Sequence, residues 1–182
     1  MMLIVLASNY LVQIPFKFLN LENILTWGAF TYPIAFLVTD LANRVHGINF
    51  TKKVIKIGFV WGIAVSLYFS LSQFDLISLR IVIGSGVAFL TAQLLDANIF
   101  NKLRNHKHWF IPPFLSSIIS SAIDTILFFS IAFYGTGISW VTLAFGDLMV
   151  KLFITLTMLI PFRLLLNKIK DYTNASASEI KS

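Results

Sequence analysis

Four aspartates lie inside stretches of this chain that are otherwise apolar: Asp40, Asp96, Asp124 and Asp147. An ionisable group at membrane depth costs about 2.5 to 3.5 kcal/mol on insertion scales, so such groups usually face a bundle interior or a water-filled path. A carboxylate in that position can accept N–H donors from a substrate, pair with a cation or carry a proton. These four positions are therefore where a functional site is expected.

The four aspartates differ in the partners that their own helices offer. Asp40 has Arg44 four residues later, and Asp147 has Lys151 at the same spacing. Residues four apart are neighbours on one helix face, so each pair can be a structural ion pair, and the second can equally be a coupling pair. The other two aspartates have no basic residue within one turn, which favours a functional role for them.

Hydrogen-bonding residues and aromatic rings accompany these two aspartates at helical spacing. Gln93 and Phe100 flank Asp96, and Ser120 and Phe128 flank Asp124. Carboxylates and amides together can match the donors and acceptors of a planar heterocycle, and aromatic rings can form the walls of its pocket. Small hydroxyl residues also permit close helix packing, which is the structural alternative for the serines before Asp124.

The composition places these residues in a membrane. Of the 182 residues, 57% are hydrophobic and only 12% are charged, which is far more apolar than an ordinary globular domain. Continuous apolar runs of about 20 residues are long enough to cross a bilayer as helices and lack the alternation of a transmembrane barrel. The sequence predicts an all-α integral membrane protein, a six-transmembrane-helix bundle with short loops in a single domain, 1–182. The predicted spans are 2–19, 25–43, 54–71, 79–100, 109–134 and 141–166, followed by a polar tail, 167–182.

The basic residues indicate the topology. Most of them lie between the second and third spans, between the fourth and fifth, and after the sixth, whereas the opposite side has only Lys17 and Arg80. By the positive-inside rule, both termini are expected in the cytoplasm, with the protein in the cell inner (plasma) membrane. The longest loops are expected at residues 47–53 and 101–108. The first span lacks a basic n-region and a small-residue cleavage site, so it is expected to be retained.

Several other kinds of chemistry find little support. The net charge of +6 lies at helix ends, so no direct nucleic-acid partner is expected. The chain has no cysteine, and His106 and His108 stand in a basic loop without carboxylates, so neither a metal site nor a cofactor is predicted. Two intramembrane aspartates can share a proton, as in an aspartic protease. However, the residues before Asp147 lack the first glycine of a Gly-x-Gly-Asp pattern, and the prediction is that the protein is not an enzyme.

Three blocks, in order along the chain, resemble the VUT family, whose members are queuosine precursor transporters. They are residues 31–47, with Asp40 and Asn43; residues 92–101, with Gln93 and Asp96; and residues 117–129, with Asp124. Asn9 and Pro15 in the first span, and Lys151 and Pro161 in the sixth, also match the family pattern. One departure is that many members have an acidic and an aromatic residue where this chain has Arg44 and His46.

The resemblance implies uptake of a small-molecule 7-deazaguanine, 7-cyano-7-deazaguanine or its aminomethyl relative, for queuosine biosynthesis and tRNA modification. The predicted substrate contacts are Asp124, Asp96, Gln93, Asn9, Asp40, Asn43, Phe128, Phe100 and Ser120, with Asp147 and Lys151 as a coupling or ion pair. Two alternatives stay open, a substrate-binding membrane subunit of a multi-component vitamin-type transporter and an intramembrane aspartyl enzyme. The substituent on the base, proton coupling and homo-oligomer formation also stay open.

Overall fold

The computed structural model describes residues 3, 7, 10, 11, 14–16, 27–30, 32–73 and 76–179. A short 3₁₀ helix, Trp27–Phe30, precedes five α-helices: α1 (Tyr32–His46), α2 (Ile48–Gln73), α3 (Leu76–Leu103), α4 (Ile111–Phe133) and α5 (Trp140–Glu179). These ranges contain no β-strand. The all-helical prediction is therefore confirmed for the part of the chain that the structure describes.

Three segments of the described helices are long and apolar enough to cross a membrane: Leu79–Leu103, Ile111–Phe133 and Trp140–Lys168. They correspond to the fourth, fifth and sixth predicted spans, and α1 and α2 overlap the second and third. Most of the first predicted span, 2–19, lies outside the described residues. The count of six spans and the side of the termini stay predictions.

A single residue, Gly47, connects α1 to α2. Its φ is +80°, a conformation that glycine adopts readily because it has no Cβ. Thr51 then fastens the start of α2, since both its backbone N–H and its hydroxyl donate to the Gly47 carbonyl, at 3.2 Å and 3.0 Å. The loop expected at residues 47–53 is therefore wrong beyond the glycine, because residues 48–53 form the first turns of α2.

Small residues set the spacing of the central helices. A Cβ on Gly84 of α3 would lie 3.3 Å from two backbone atoms of α4, Ala132 N and Phe128 O, whereas a Cβ on Gly86 would meet Ile63 of α2. The contact between α3 and α4 is the most extensive in the described structure. Both glycines thus serve packing within this chain, as small residues do at membrane helix interfaces.

Arg80, near the start of α3, caps the end of α4. Its guanidinium donates to the carbonyl of Ile131 at 2.9 Å and to that of Tyr134 at 2.7 Å. The last carbonyls of a helix have no partner inside the helix and carry its negative dipole end, so a guanidinium satisfies both requirements. This role explains why a basic residue stands near the start of α3.

Replacing Gly84 with leucine should separate α3 from α4. Overpacking costs about 1 to 3 kcal/mol, and 1 kcal/mol shifts the unfolding of a chain of this size by about 2 to 4 °C. We expect Gly84→Leu to lower the unfolding temperature in detergent by about 2 to 12 °C, measured by tryptophan fluorescence. Val87→Leu, at an exposed position of the same helix, is the control. Equal melting of both variants would contradict the close approach.

Candidate functional site

A buried ion cluster joins α4 to α5. Lys151 Nζ lies 2.8 Å from Asp124 Oδ2 on α4 and 2.5 Å from Asp147 Oδ2, one turn earlier on α5. The hydroxyl of Thr125 donates to Asp147 Oδ2 at 2.8 Å. All four residues are at most 5% exposed. Asp124, which has no basic neighbour on its own helix, thus obtains one from α5.

The cluster contains one ammonium group and two carboxylates. An ion pair compensates the cost of burial only with good geometry and further hydrogen bonds, and Thr125 supplies one of these. The second carboxylate oxygen of Asp124, Oδ1, has no hydrogen-bond partner among the described residues. Asp124 is therefore fixed by Lys151 through one oxygen and can accept a hydrogen bond from a ligand through the other.

A second group of carboxyls lies between α1 and α3. The side chains of Asp40 and Asp96 are within hydrogen-bonding range of each other, and both are almost completely buried. Ser117 of α4 donates to Asp96 Oδ1 at 3.5 Å. Two carboxyl groups can share a hydrogen bond only when one of them carries a proton. The pair therefore differs in character from the Lys151 cluster, where an ammonium group compensates the charge.

The Asp40–Arg44 ion pair that the helical spacing allows does not form. Arg44 Nη1 donates instead to the carbonyl of Arg104, and Arg104 Nη2 donates to the carbonyl of Arg44 at 3.2 Å. These reciprocal bonds tie the end of α1 to the residues after α3, because a guanidinium can bond several carbonyls near helix ends. Arg44, where this chain departs from the family pattern, thus has a structural role.

Two buried amides lie on the faces of α1 and α3 that also carry Asp40 and Asp96. Gln93 Oε1 accepts a hydrogen bond from the hydroxyl of Thr39 at 3.0 Å, and Asn43 Nδ2 donates to the carbonyl of Ala97 at 2.8 Å. Each amide uses one of its two ends in this way. Gln93 keeps an unpaired donor, Nε2, and Asn43 keeps an unpaired acceptor, Oδ1.

Unpaired polar atoms accumulate in this part of the protein. Buried side-chain oxygens and nitrogens are normally hydrogen-bonded, so each exception requires an explanation such as a ligand or water site. Within the described ranges, the exceptions come from four helices: Asp40 Oδ1, Asn43 Oδ1, Gln93 Nε2, Asp96 Oδ2, Ser120 Oγ, Ser121 Oγ, Asp124 Oδ1 and Thr155 Oγ1. They supply both donors and acceptors, as the recognition of a heterocycle requires.

A narrow cleft opens between α1, α4 and α5. Three polar residues line it, one from each helix: Asp40, Ser117 and Thr155. Its other lining residues are Pro33, Leu37, Pro113, Met158, Leu159 and Phe162. Spacings of three and four residues place each helix's contribution on one face. The cleft is thus largely apolar with a few polar groups, as ligand sites usually are.

The predicted aromatic residues differ in their surroundings. Phe100 packs edge-on against Phe162, a lining residue of the cleft, with ring centroids 6.2 Å apart. Phe128 instead packs against Phe129 and Phe133, at 5.0 Å and 5.9 Å, within an apolar cluster of α3 and α4. Phe100 can therefore support a substrate wall through Phe162, whereas Phe128 has the contacts of a core residue.

The structure brings six of the predicted contact residues into the group of unpaired polar side chains: Asp40, Asn43, Gln93, Asp96, Ser120 and Asp124. Asn9 lies outside the described residues. Thr39, Thr155 and Phe162 were missed. Helical spacing could have identified Thr155, which lies one turn after Lys151, whereas the sequence holds no such signal for Thr39 or Phe162.

A helical membrane protein with buried ionisable and amide groups between its helices has the type of site that membrane transporters use. The chain belongs to the vitamin uptake transporter family: the family described as "Putative vitamin uptake transporter" matches residues 26–166. It is thus a multi-pass membrane protein of a transporter family.

Two relatives carry specific names. A "Probable queuosine precursor transporter" from Haemophilus influenzae is 37% identical, with 87% of this chain and 79% of the relative covered. The "Queuosine precursor transporter" of Escherichia coli K12 is 30% identical, over 97% of this chain and 89% of the relative. Both are named as transporters and not as enzymes. No solved structure matches the chain.

Removing the ammonium group from the ion cluster should destabilise the protein. Lys151→Met leaves two buried carboxylates facing each other, and breaking a buried pair costs about 3 to 5 kcal/mol, so we expect the unfolding temperature to fall by about 6 to 20 °C. Adding Asp147→Asn should recover part of the loss, because it removes the excess negative charge. Lys168→Met, at an exposed position of α5, is the matched control. Unchanged stability of Lys151→Met in detergent would argue against the ion cluster.

Proposed function

We propose that this protein imports queuosine precursors, which are 7-deazaguanine bases, into the cytoplasm. The set of unpaired buried polar atoms carries this proposal, since a neutral, planar base that leaves water must find donors and acceptors in the protein. The names of the two relatives support the same substrate class.

Asp124 and Gln93 are suited to recognise the guanine-like part of the substrate. That part carries adjacent N–H donors and a carbonyl acceptor. Asp124 Oδ1 is an unpaired acceptor on a carboxylate held in place by Lys151, and Gln93 Nε2 is an unpaired donor held by Thr39. A fixed carboxylate forms stronger hydrogen bonds with N–H groups than a neutral acceptor does. Ser120 and Asn43 add further hydrogen-bonding groups on α4 and α1.

An aromatic ring in the cleft can stack on the flat base. Phe162 lines the cleft and is itself supported edge-on by Phe100. A planar heterocycle gains apolar contact from such a ring, while the polar groups fix its orientation. Phe128 belongs to the α3–α4 core cluster. In this proposal it stabilises the helices that form the site.

Transport requires that this site open to one side of the membrane at a time. We place it near the midplane of a six-span bundle in the inner membrane, with both termini and the basic loops in the cytoplasm. Because the cleft is bounded by α1 on one side and by α4 and α5 on the other, movement of α1 relative to the other two helices would open and close it. Because the proposed site lies on helices and not on loops, opening it requires packed helices to move against each other.

The experiment uses cells that cannot synthesise queuosine precursors and measures queuosine in their tRNA. Cells that express this chain should regain queuosine when either 7-deazaguanine is supplied at limiting concentration. Asp124→Asn should reduce uptake about tenfold or more, since a hydrogen bond to a charged group contributes about 1.5 to 3 kcal/mol. Lys151 keeps Asp147 as its partner in this variant, so folding should suffer little.

Asp171→Asn makes the same chemical change beyond the end of the apolar segment Trp140–Lys168, and it should transport normally. All proteins must be compared at equal amounts in the membrane. A chain that is inserted yet restores no queuosine with either compound would overturn the proposed substrate class. Restoration by Asp124→Asn at the normal level would remove Asp124 from the site.

A further inference from the structure

Asp40 and Asp96 have no cation to compensate their charge. Among the described residues, neither forms an ion pair with a lysine or arginine, although both are buried to at least 98%. Asp40 lines the cleft, and each residue keeps one oxygen without a hydrogen-bond partner, Asp40 Oδ1 and Asp96 Oδ2. Like charges in contact oppose each other's ionisation in a low-dielectric site, which favours one shared proton between the two carboxyls.

The neighbouring helices do not provide a permanent counter-ion. The charged groups of α4 and α5 near the site, Asp124, Asp147 and Lys151, are paired with one another. Among the described residues of α4, Ser117 donates its hydroxyl to Asp96 Oδ1, and Thr155 is the polar residue of α5 that lines the cleft.

The basic residues of the other elements are occupied elsewhere or lie towards the surface. The guanidinium groups of Arg44 on α1 and Arg104 after α3 bind backbone carbonyls. The lysines of α2 are half-buried or exposed and form no ion pair within the described ranges: Lys52, Lys53 and Lys56. Within the described residues no basic side chain pairs with Asp40 or Asp96, so a cationic ligand can supply the compensating charge.

We propose that Asp40 and Asp96 bind a positively charged substituent on the 7-deazaguanine, with the substrate's ammonium group replacing their shared proton. This inference rests on the proposed function and assigns the substrate preference of the same site. The exchange conserves charge: before binding, two carboxyls and one proton carry a net charge of −1, and afterwards two carboxylates and one ammonium carry the same charge. One proton is released for each cation bound.

The acceptors around the pair match an ammonium group in number. A primary ammonium has three N–H donors and no acceptor. Asp40 Oδ1 and Asp96 Oδ2 provide two unpaired acceptors, and the hydroxyl of Thr155, which is 4% exposed, unpaired and lines the same cleft as Asp40, provides a third. Asn43 Oδ1, one turn after Asp40, is a further unpaired acceptor. A cyano group, which is only an acceptor, gains nothing from these oxygens.

The test measures binding of two compounds to the purified full chain in detergent, by calorimetry between pH 5.5 and 7.5. The 7-aminomethyl compound stays cationic in this range, because a primary amine loses its proton only near pH 10, and the 7-cyano compound is neutral. Release of a proton makes the cation bind more tightly as the pH rises, by up to about tenfold per unit, whereas binding of the cyano compound should not change. Repeating the titration in buffers of different ionisation enthalpy counts the released protons directly.

The variants Asp40→Asn and Asp96→Asn separate the carboxyl pair from the rest of the site. Each should weaken binding of the aminomethyl compound about tenfold relative to the cyano compound, because one charge-assisted hydrogen bond becomes a neutral one. Each should also abolish the pH dependence, because an amide N–H can donate to a carboxylate without a shared proton, so that binding releases none. Asp171→Asn should behave as the unchanged protein does.

The possible outcomes distinguish this inference from the proposed function. Identical pH dependence for the two compounds, or an unchanged ratio of their affinities in both variants, would overturn the role of the pair while leaving 7-deazaguanine binding intact. Binding of neither compound would overturn the proposed function, and the inference with it. The pH comparison uses the unchanged protein, so it remains decisive even if both variants misfold.

Discussion

The low dielectric of the membrane interior is the constraint on which this structure depends. Every charge and amide placed there must find a partner or serve a ligand, and the protein uses both solutions side by side. Lys151 and its two aspartates compensate one another across α4 and α5, whereas Asp40 and Asp96 face each other without a cation in the described structure. The compensated group joins two helices, whereas the uncompensated group is the one that we propose for ligand binding.

The packing of the helices follows from the same constraint. Without water to drive association, membrane helices rely on close contact and hydrogen bonding, and Gly84 lets α3 approach the backbone of α4. Arg80 then satisfies the carbonyls where α4 ends. These contacts involve residues that have no role in the candidate site. The packed α3–α4 pair therefore holds the polar residues of the two helices in fixed positions relative to each other.

The sequence predicted the helical class and much of the candidate site because both depend on local patterns. Asp96 and Gln93, or Ser120 and Asp124, share a face through helical periodicity alone. The partner of Asp124 could not be found in this way, since Lys151 lies 27 residues away on another helix. Phe128 was assigned to the site on periodicity, but the choice between a substrate wall and a core cluster depends on tertiary packing. Likewise, Arg44 has the spacing to pair with Asp40, but the carbonyl of Arg104 lies within its reach instead.

The one-residue connection at Gly47 restricts how α1 can move. A single residue spans about 3.8 Å between Cα atoms, and a shift of one helical turn is about 5.4 Å, so α1 has no slack to slide along its axis without carrying α2 with it. Thr51 and the reciprocal arginine bonds fasten this end further. A pivot remains available at the glycine, whose backbone is less hindered than that of any other residue. For the movement of α1 proposed above, Gly47 thus favours tilting about one fixed end over sliding along the helix axis.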